Sequence, residues 1–115
     1  MSPKVCAIIP SWNRMADLRA CLESLAKQDY ASLEIIVVDN GSSDGSAEMV
    51  RKEFPAARLI ANVENLGASI AKNQGIAATD AEFVWFLDSD AIVLEPTCAS
   101  EMVRIMQENP DVGAV

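Results

Sequence analysis

Histidine is absent from the chain, and the three cysteines lie far apart, at Cys6, Cys21 and Cys98. Without histidine the chain cannot build the Ser-His or Cys-His pairs that activate a nucleophile. A zinc site is excluded as well, because neither a histidine nor a CxxC pair is there to supply its ligands. The odd number of separated cysteines indicates free thiols, as is usual in the cytoplasm.

Positive charge is scarce. Lysine and arginine together number 9 against 17 aspartates and glutamates, which gives a net charge of -8. A surface of this sign repels a phosphate backbone, and no basic stripe interrupts it, so the sequence predicts no nucleic-acid partner. Any phosphate ligand would need a metal ion or backbone N–H groups to offset the repulsion.

Long apolar runs are also missing. No segment approaches the roughly 18–20 apolar residues that a membrane span requires, and residues 1–6 lack the basic start and apolar stretch of a secretory signal. We therefore expect a chain that neither spans a membrane nor is exported by that route. A hydrophobic fraction of 50% with 23% charge over 115 residues predicts one globular domain with a substantial core.

Apolar and β-branched runs alternate with segments of helical periodicity along the whole chain. The predicted strands are 5–9, ended by Pro10, then 33–38, 58–61, the strongly apolar 83–87, and 112–115. Four helices are predicted. The first has Asn13 available as N-cap and an inner face formed by Met15, Leu18, Leu22 and Leu25. The others span 47–54, about 68–78, and 97–108, the last with Met102, Ile105 and Met106 on its inner face. Gly75 weakens the third helix by about 1 kcal/mol relative to alanine.

This alternation predicts a Rossmann-like, doubly wound α/β fold, in which helices cover both faces of a mostly parallel sheet. With strand order 3-2-1-4, ligands would bind outside the carboxyl ends of the strands. The loops there are 10–13, 39–42 and 88–90. Because a fifth predicted strand begins just before Val115, we also expect the chain to be the truncated start of a longer protein.

Three carboxylates follow these strands: Asp39, Asp88 and Asp90. We expect them to share one cleft around a divalent cation, since oxygen ligands without a cationic side chain suit Mg²⁺ or Mn²⁺. Magnesium commonly joins one or two carboxylates to the phosphates of a substrate. A nucleoside diphosphate derivative is therefore the predicted ligand.

Four segments together resemble the family 2 glycosyltransferases, which have the glycosyltransferase A fold. Residues 5–14 contain Ile-Ile-Pro-Ser-Trp-Asn-Arg, and 34–45 read Glu-Ile-Ile-Val-Val-Asp-Asn-Gly-Ser-Ser-Asp-Gly. Residues 65–67 (Asn-Leu-Gly) and 71–75 (Ala-Lys-Asn-Gln-Gly) form the third, and 86–90 (Phe-Leu-Asp-Ser-Asp) resemble the DxD metal motif of that family. A DxD motif alone is weak support, whereas the ordered set is strong.

The resemblance implies a donor site for a nucleoside-diphosphate sugar of the UDP or dTDP type. Its implied binding residues are Pro10, Ser11, Trp12, Asn13, Asp39, Asn40, Gly67, Lys72 and Asp88. Asn40 would lie near the base and Asp88 near the ribose or sugar, while Asp90, with Asp88, would hold Mg²⁺ or Mn²⁺ on the diphosphate. Three of these residues differ from the usual pattern of the family. The family usually has tyrosine where this chain has Trp12, commonly arginine where it has Lys72, and often a second aspartate where it has Asn40. The nucleobase and sugar are therefore left open.

Members of this family transfer the sugar with inversion, using a carboxylate base from their later half. No residue here matches that base, so the resemblance implies a donor-binding portion that is inactive alone. It further implies a saccharide or lipid-linked acceptor, a role in cell-surface polysaccharide or glycolipid assembly, and a place in the cytoplasm or at the inner membrane face. An apolar face left without its partner half predicts self-association.

Simpler interpretations exist for several of these residues. Asp88 to Asp90 could form a solvated turn, Trp12 could pack rather than stack, and Lys72 could be a solvated helix charge. As whole functions, a non-catalytic nucleotide-binding module and, less favoured, a phosphoacceptor receiver domain are the alternatives. A receiver would carry paired acids after the first strand, where this chain has Pro-Ser-Trp-Asn.

Overall fold

The computed structural model describes residues 3–109. Strands and helices alternate in the order β1 (Val5–Ser11), α1 (Met15–Ala26), β2 (Leu33–Asn40), α2 (Ser46–Glu53), β3 (Arg58–Asn62), α3 (Ala68–Ala77), β4 (Phe83–Phe86) and α4 (Cys98–Glu108). The four strands form one parallel sheet in the order β3-β2-β1-β4, which confirms the predicted α/β class and matches the order assumed for it. The predicted strand at 112–115 lies outside the described residues.

Strand β1 continues past Pro10, so the prediction that this proline ends the strand is wrong. In a parallel strand, Ile8 and Pro10 direct their backbone groups to the same side. On that side Ile8 O accepts from Leu87 N at 3.1 Å, but strand β4 has already ended at Phe86. The missing N–H of Pro10 therefore faces no strand partner and costs no ladder hydrogen bond.

Two clusters of buried side chains cover the two faces of the sheet. One joins Ile9 and Val37 of the sheet to the inner faces of α1 and α2, including Leu18, Leu22 and Val50. The other joins Cys6, Ile8, Ile36 and Val38 to Ala71 of α3. The strands β1 and β2 are thus buried on both sides, as their unbroken apolar runs predict.

Helix α3 approaches the sheet closely because Gly75 lies on its inner face. A Cβ at Gly75 would come within 2.5 Å of Ile8 Cγ2 and 2.9 Å of Ile8 Cδ1. The glycine that weakens this helix by propensity is therefore required by packing.

Strand β4, predicted over 83–87, spans Phe83–Phe86 and lies at one end of the four-stranded sheet of the described residues, with Val84 37% and Phe86 43% exposed. Helix α4 buries Ala99 and Val103, and Met102, Ile105 and Met106, which were predicted on its inner face, are half-buried. No helix in the described part of the chain is long and apolar enough to cross a membrane.

Candidate functional site at the carboxyl edge of the sheet

The site begins where β1 and β2 end side by side. In the parallel register Ser11 lies opposite Asp39, the last pair of that ladder. Strand β2 was predicted to end at Val38, but its ladder with β3 carries Asp39 and Asn40 as well. Because these residues belong to the central strands, their positions are fixed by backbone hydrogen bonds, and both Ser11 and Asp39 are only 3% exposed.

Asp39 uses only one of its two carboxylate oxygens within the chain. Its Oδ2 accepts a hydrogen bond from Ser42 N at 3.1 Å. Within residues 3–109, its buried Oδ1 has no partner, and neither has the buried Oγ of Ser11. A buried polar atom left without a partner costs about 1–3 kcal/mol, more if charged, so these two neighbouring atoms indicate a place for a ligand that carries hydrogen-bond donors.

Asn13 joins the loops that follow β1 and β2. Its backbone is in the left-handed region, with φ 51°. Asn13 N donates to Ser42 Oγ at 2.9 Å, and Asn13 Oδ1 accepts from Ser43 N at 2.8 Å. The side-chain oxygen of Asn13 thus orders the pocket wall instead of standing free to meet a ligand.

The helix cap predicted for Asn13 is supplied by Asp44 instead. The N-cap position of α1 is Arg14, whose side chain makes no cap hydrogen bond. Asp44 Oδ2 accepts from Met15 N at 3.0 Å, and Asp44 Oδ1 accepts from Ser46 N at 3.0 Å. One carboxylate therefore caps the starts of both α1 and α2. The sequence did not indicate its role at α1, because Asp44 lies far from that helix along the chain.

The hydrogen bonds of Asp44 also set its acidity. Burial alone would raise the pKa of Asp44, but the hydrogen bonds from Ser46 and Met15 outweigh it and hold the pKa below the ordinary value of 3.8. The carboxylate is charged at neutral pH. The two loops are therefore held together by an anion at the starts of two helices, where negative charge is favoured.

Trp12 projects beside this edge and is 51% exposed. It lines an open pocket of about 410 Å³ together with Asn13, Arg14, Ala16 and Asp17. An indole exposed to this extent offers a face for stacking. Arg14 was not singled out from the sequence, and it places a guanidinium in the same pocket, 3.3 Å from Asp17 Oδ2.

The side chain of Asn40 is engaged within the protein. Asn40 is 4% exposed, and its Nδ2 donates to Gly67 O at 3.2 Å. Its Oδ1 accepts from Asn62 Nδ2 at 2.9 Å. Asn40 therefore connects the end of β2 to Gly67, the residue that precedes α3. Gly67 and Lys72 of α3 are two of the residues predicted to bind the nucleoside-diphosphate sugar.

Lys72 lies on α3 on the side that faces β4. Its Nζ is 5.4 Å from the centroid of the Phe86 ring, in cation–π range, and the residue is half-buried. This contact keeps the ammonium beside the end of β4. Pro10, half-buried between Ile9 and Ser11, completes the wall formed by β1.

Asp88 and Asp90 follow β4 on an exposed turn, in which Ala91 N donates to Asp88 O at 3.0 Å. Within residues 3–109, neither carboxylate forms an ion pair. Burial, and then the nearby charge of Asp90, raise the pKa of the Cys21 thiol to about 11, so this buried cysteine is neutral.

The expectation that Asp39, Asp88 and Asp90 meet around one cation is wrong. Within the described ranges, no three acidic, cysteine or histidine side chains are grouped so as to hold a metal ion. The strand order explains why, because β1 separates β2 from β4 and neighbouring strands are about 4.8 Å apart. Asp39 thus lies on the order of 10 Å from the turn that carries the other two carboxylates.

Comparison with known proteins gives consistent results. Residues 6–115 match the family model described as glycosyl transferase family 2. The glycosyltransferase YibD of Escherichia coli is 36% identical over 113 residues, which are 96% of this chain and 33% of that protein. The chain thus spans about a third of the length of this relative.

Solved structures resemble the fold closely. A mannosyltransferase from Pyrobaculum calidifontis, in complex with GDP-Man and Mn²⁺, has a TM-score of 0.90 at 29% identity over 98% of this chain and 34% of its own. TarS of S. aureus, in complex with UDP-GlcNAc, has a TM-score of 0.81 at 28% identity over 93% of this chain and 32% of its own.

Proposed function

Because the chain belongs to glycosyl transferase family 2, we propose that it forms the donor-binding portion of an enzyme that transfers a sugar, with inversion, from a nucleoside-diphosphate sugar to an acceptor hydroxyl. The observation that carries the proposal is a pair of buried atoms, Asp39 Oδ1 and Ser11 Oγ, that have no partner among residues 3–109. They lie at the carboxyl edge of a parallel sheet, where ligands of such folds bind.

The chemistry of Asp39 restricts the nucleobase. An ionised carboxylate accepts hydrogen bonds and donates none. Uracil, thymine and guanine each present an imino N–H on their pairing edge, whereas neutral adenine and cytosine present an acceptor nitrogen there. We therefore propose that Asp39 Oδ1 accepts the imino N–H of a uracil, thymine or guanine base, while the exposed ring of Trp12 stacks on its face.

The diphosphate is assigned to the part of the edge formed by α3 and the turn after β4. Lys72 supplies the nearby positive charge, and residue Gly67 precedes the first turn of α3, whose N–H groups attract anions. As a lysine, residue 72 contributes a point charge and not the two-pronged contact of an arginine. The strongly negative surface makes a further counter-charge necessary.

Asp88 and Asp90 fit a hard divalent cation whose other ligands come from the substrate. They are exposed carboxylates without ion pairs among residues 3–109, and Mg²⁺ or Mn²⁺ commonly takes one or two carboxylates plus phosphate oxygens. Asp90, with Asp88, is assigned to the cation, and Asp88 is assigned to the ribose or sugar as well. When bound, such a cation supplies Lewis-acid stabilisation of the charge on the departing diphosphate.

We assign no proton acceptor to this chain. Among the described residues, Asp39 and the Asp88–Asp90 turn are assigned to the donor, and Asp17, which lines the pocket, is paired with Arg14. Acceptor binding and proton transfer would be carried out by residues in the two thirds of the relative that this chain does not match. The proposed setting is assembly of a saccharide or lipid-linked glycan in the cytoplasm or at the inner membrane face. Nucleotide binding without turnover by this portion alone is the expected behaviour.

Calorimetry with a panel of nucleotides tests the proposal. UDP, dTDP, GDP, CDP and ADP are titrated into the chain with Mn²⁺, and again after chelation with EDTA. We expect Mn²⁺-dependent binding of at least one of UDP, dTDP and GDP, and much weaker binding of CDP and ADP. No heat with any nucleotide on a folded sample would contradict donor binding, and a preference for ADP or CDP would contradict the role of Asp39.

A further inference from the structure

Two half-buried amide side chains outside the proposed pocket form a reciprocal pair. Asn62 is the last residue of β3, and Gln74 lies on α3. Asn62 Nδ2 donates to Gln74 Oε1 at 2.8 Å, and Gln74 Nε2 donates to Asn62 Oδ1 at 2.9 Å. Each amide donates one hydrogen bond to the other and accepts one from it, so the pair fixes the orientation of each side chain.

The pair continues into the pocket through Asn40. Asn62 Nδ2 also donates to Asn40 Oδ1 at 2.9 Å. Asn40 in turn accepts a long contact from Leu66 N at 3.5 Å and donates to Gly67 O at 3.2 Å. One connected set of amides therefore joins the ends of β2 and β3 to the segment that leads into α3.

That segment, residues 63–67, has few other restraints. Val63 is fully exposed at 101% and Leu66 is 37% exposed. At Gly67, φ is +89° and a Cβ would meet nothing within 4 Å, so the Cβ side of this residue faces open space. Within residues 3–109, the other restraints on the segment are the approach of Glu64 to Gly41, a hydrogen bond from Gly67 N to Asn65 Oδ1 and the first helical bond of α3, from Ala71 N to Gly67 O; the amide contacts add the link to β2.

We propose that Asn62 and Gln74 are positioning residues for nucleotide binding: they hold Asn40, and through it residues 66 and 67, at the rim of the pocket before the nucleotide arrives. A segment ordered in advance spares the entropy that would otherwise be lost when the ligand orders it. The consequence for affinity rests on the proposed function, whereas the ordering of residues 63–67 does not.

Three variants test the proposal. Gln74→Ala removes both bonds of the reciprocal pair. The exchanged double variant Asn62→Gln/Gln74→Asn keeps the combined length of the two amides. Gln28→Ala is the matched control, because Gln28 also makes two amide hydrogen bonds, from its Nε2 to Glu95 O at 2.7 Å and from Ala99 N to its Oε1 at 2.9 Å, away from the pocket.

Two measurements are made on each variant. The first is hydrogen exchange over residues 63–67, and the second is the dissociation constant for the nucleotide that the unmodified chain binds best. For Gln74→Ala we expect exchange to accelerate and affinity to fall, each by about tenfold or more, because two ordinary hydrogen bonds are lost. The exchanged variant should recover a large part of both, and Gln28→Ala should change neither, even where it lowers stability as much.

The proposal is overturned if Gln74→Ala leaves exchange over residues 63–67 unchanged, or if Gln28→Ala accelerates it equally, since the effect would then be general destabilisation. Faster exchange with unaltered affinity would overturn the positioning role in binding. If the unmodified chain binds no nucleotide, the proposed function fails, and the exchange result still decides whether the amide pair orders the segment.

Discussion

Gly41 offers a sharp test of how the carboxyl edge is built. Its φ of +75° lies in the left-handed region, and a Cβ there would come within 2.7 Å of Glu64 Cα and 2.9 Å of Glu64 C. An alanine at this position costs about 1–2 kcal/mol for the backbone conformation. The clash adds about 1–3 kcal/mol, because the neighbour is backbone and cannot rotate away. Gly41→Ala should therefore lower the free energy of unfolding by about 2–5 kcal/mol.

The matched control is Gly45→Ala. Gly45 has a similar φ of +92°, but a Cβ there would meet only Met15 Sδ, at 3.6 Å, an ordinary contact. The two variants share the conformational cost, so the difference between them in urea unfolding measures the close approach of Glu64 to Gly41. We expect Gly41→Ala to be less stable than Gly45→Ala by about 1–3 kcal/mol. Equal destabilisation would refute the packing described for this edge.

Three other predictions concern the fold and the exposed edge. Gly75→Ala should destabilise the chain by up to about 2 kcal/mol, although alanine has the better helix propensity. Adding Ile8→Val should restore part of the lost stability. A gain in stability of Gly75→Ala in thermal unfolding would contradict the prediction. Asp44→Ala should cost about 1–2 kcal/mol as a lost double cap. Because the folded-state pKa of Asp44 is lowered, its contribution is present above the ordinary value of 3.8 and lost as the pH falls through the lower folded value. In urea unfolding, the difference in free energy of unfolding between the unmodified chain and Asp44→Ala should therefore become smaller at acidic pH. A difference independent of pH would show that the charge of Asp44 does not contribute to stability. We propose that the exposed Val84 and Phe86 of β4 mediate the predicted self-association, so Val84→Lys should reduce it in light scattering, and a monomer at high concentration before mutation would contradict it.

The positions of the strands and helices were predictable from the chain because apolar runs alternate with helical periodicity and with loops rich in turn residues, whereas the strand order was assumed from the common doubly wound arrangement. In β2, for example, residues 35–38 form an unbroken β-branched run, and the Gly-Ser-Ser-Asp-Gly segment after Asn40 is rich in turn residues. Such local signals are sufficient when helices separate all the strands, since right-handed crossovers then leave few topologies.

Features that depend on a neighbour distant in the sequence were not predictable. Pro10 was expected to end β1, but whether a proline interrupts a strand depends on which strand lies opposite its nitrogen. Asn13 was expected to cap α1, but the acceptor for Met15 N comes from Asp44 in the next loop. Both require the register of β1 against its neighbours, which no local pattern contains.

In the candidate site too, some features were predictable from the sequence and others were not. That the residues after β1, β2 and β4 share one edge follows from parallel strands, and Ser11 and Asp39 do meet there. The assumed order already places β1 between β2 and β4, and this separation is too large for the three-carboxylate cation site, which was wrong. The network of Asn40, Asn62 and Gln74 joins residues from three elements and had no signal in the sequence.

Asp39→Asn tests the central claim most directly. Asparagine keeps one oxygen to accept from Ser42 N, as Asp39 Oδ2 does at 3.1 Å, and puts an NH₂ group where the unpartnered Oδ1 stands. The variant should therefore fold normally while presenting a donor to the imino N–H of the base. Calorimetry with the best-binding nucleotide and Mn²⁺ should show affinity reduced by at least about 100-fold, the loss of a charged hydrogen bond plus a donor–donor contact. Binding by folded Asp39→Asn as tight as that of the unmodified chain would contradict the account.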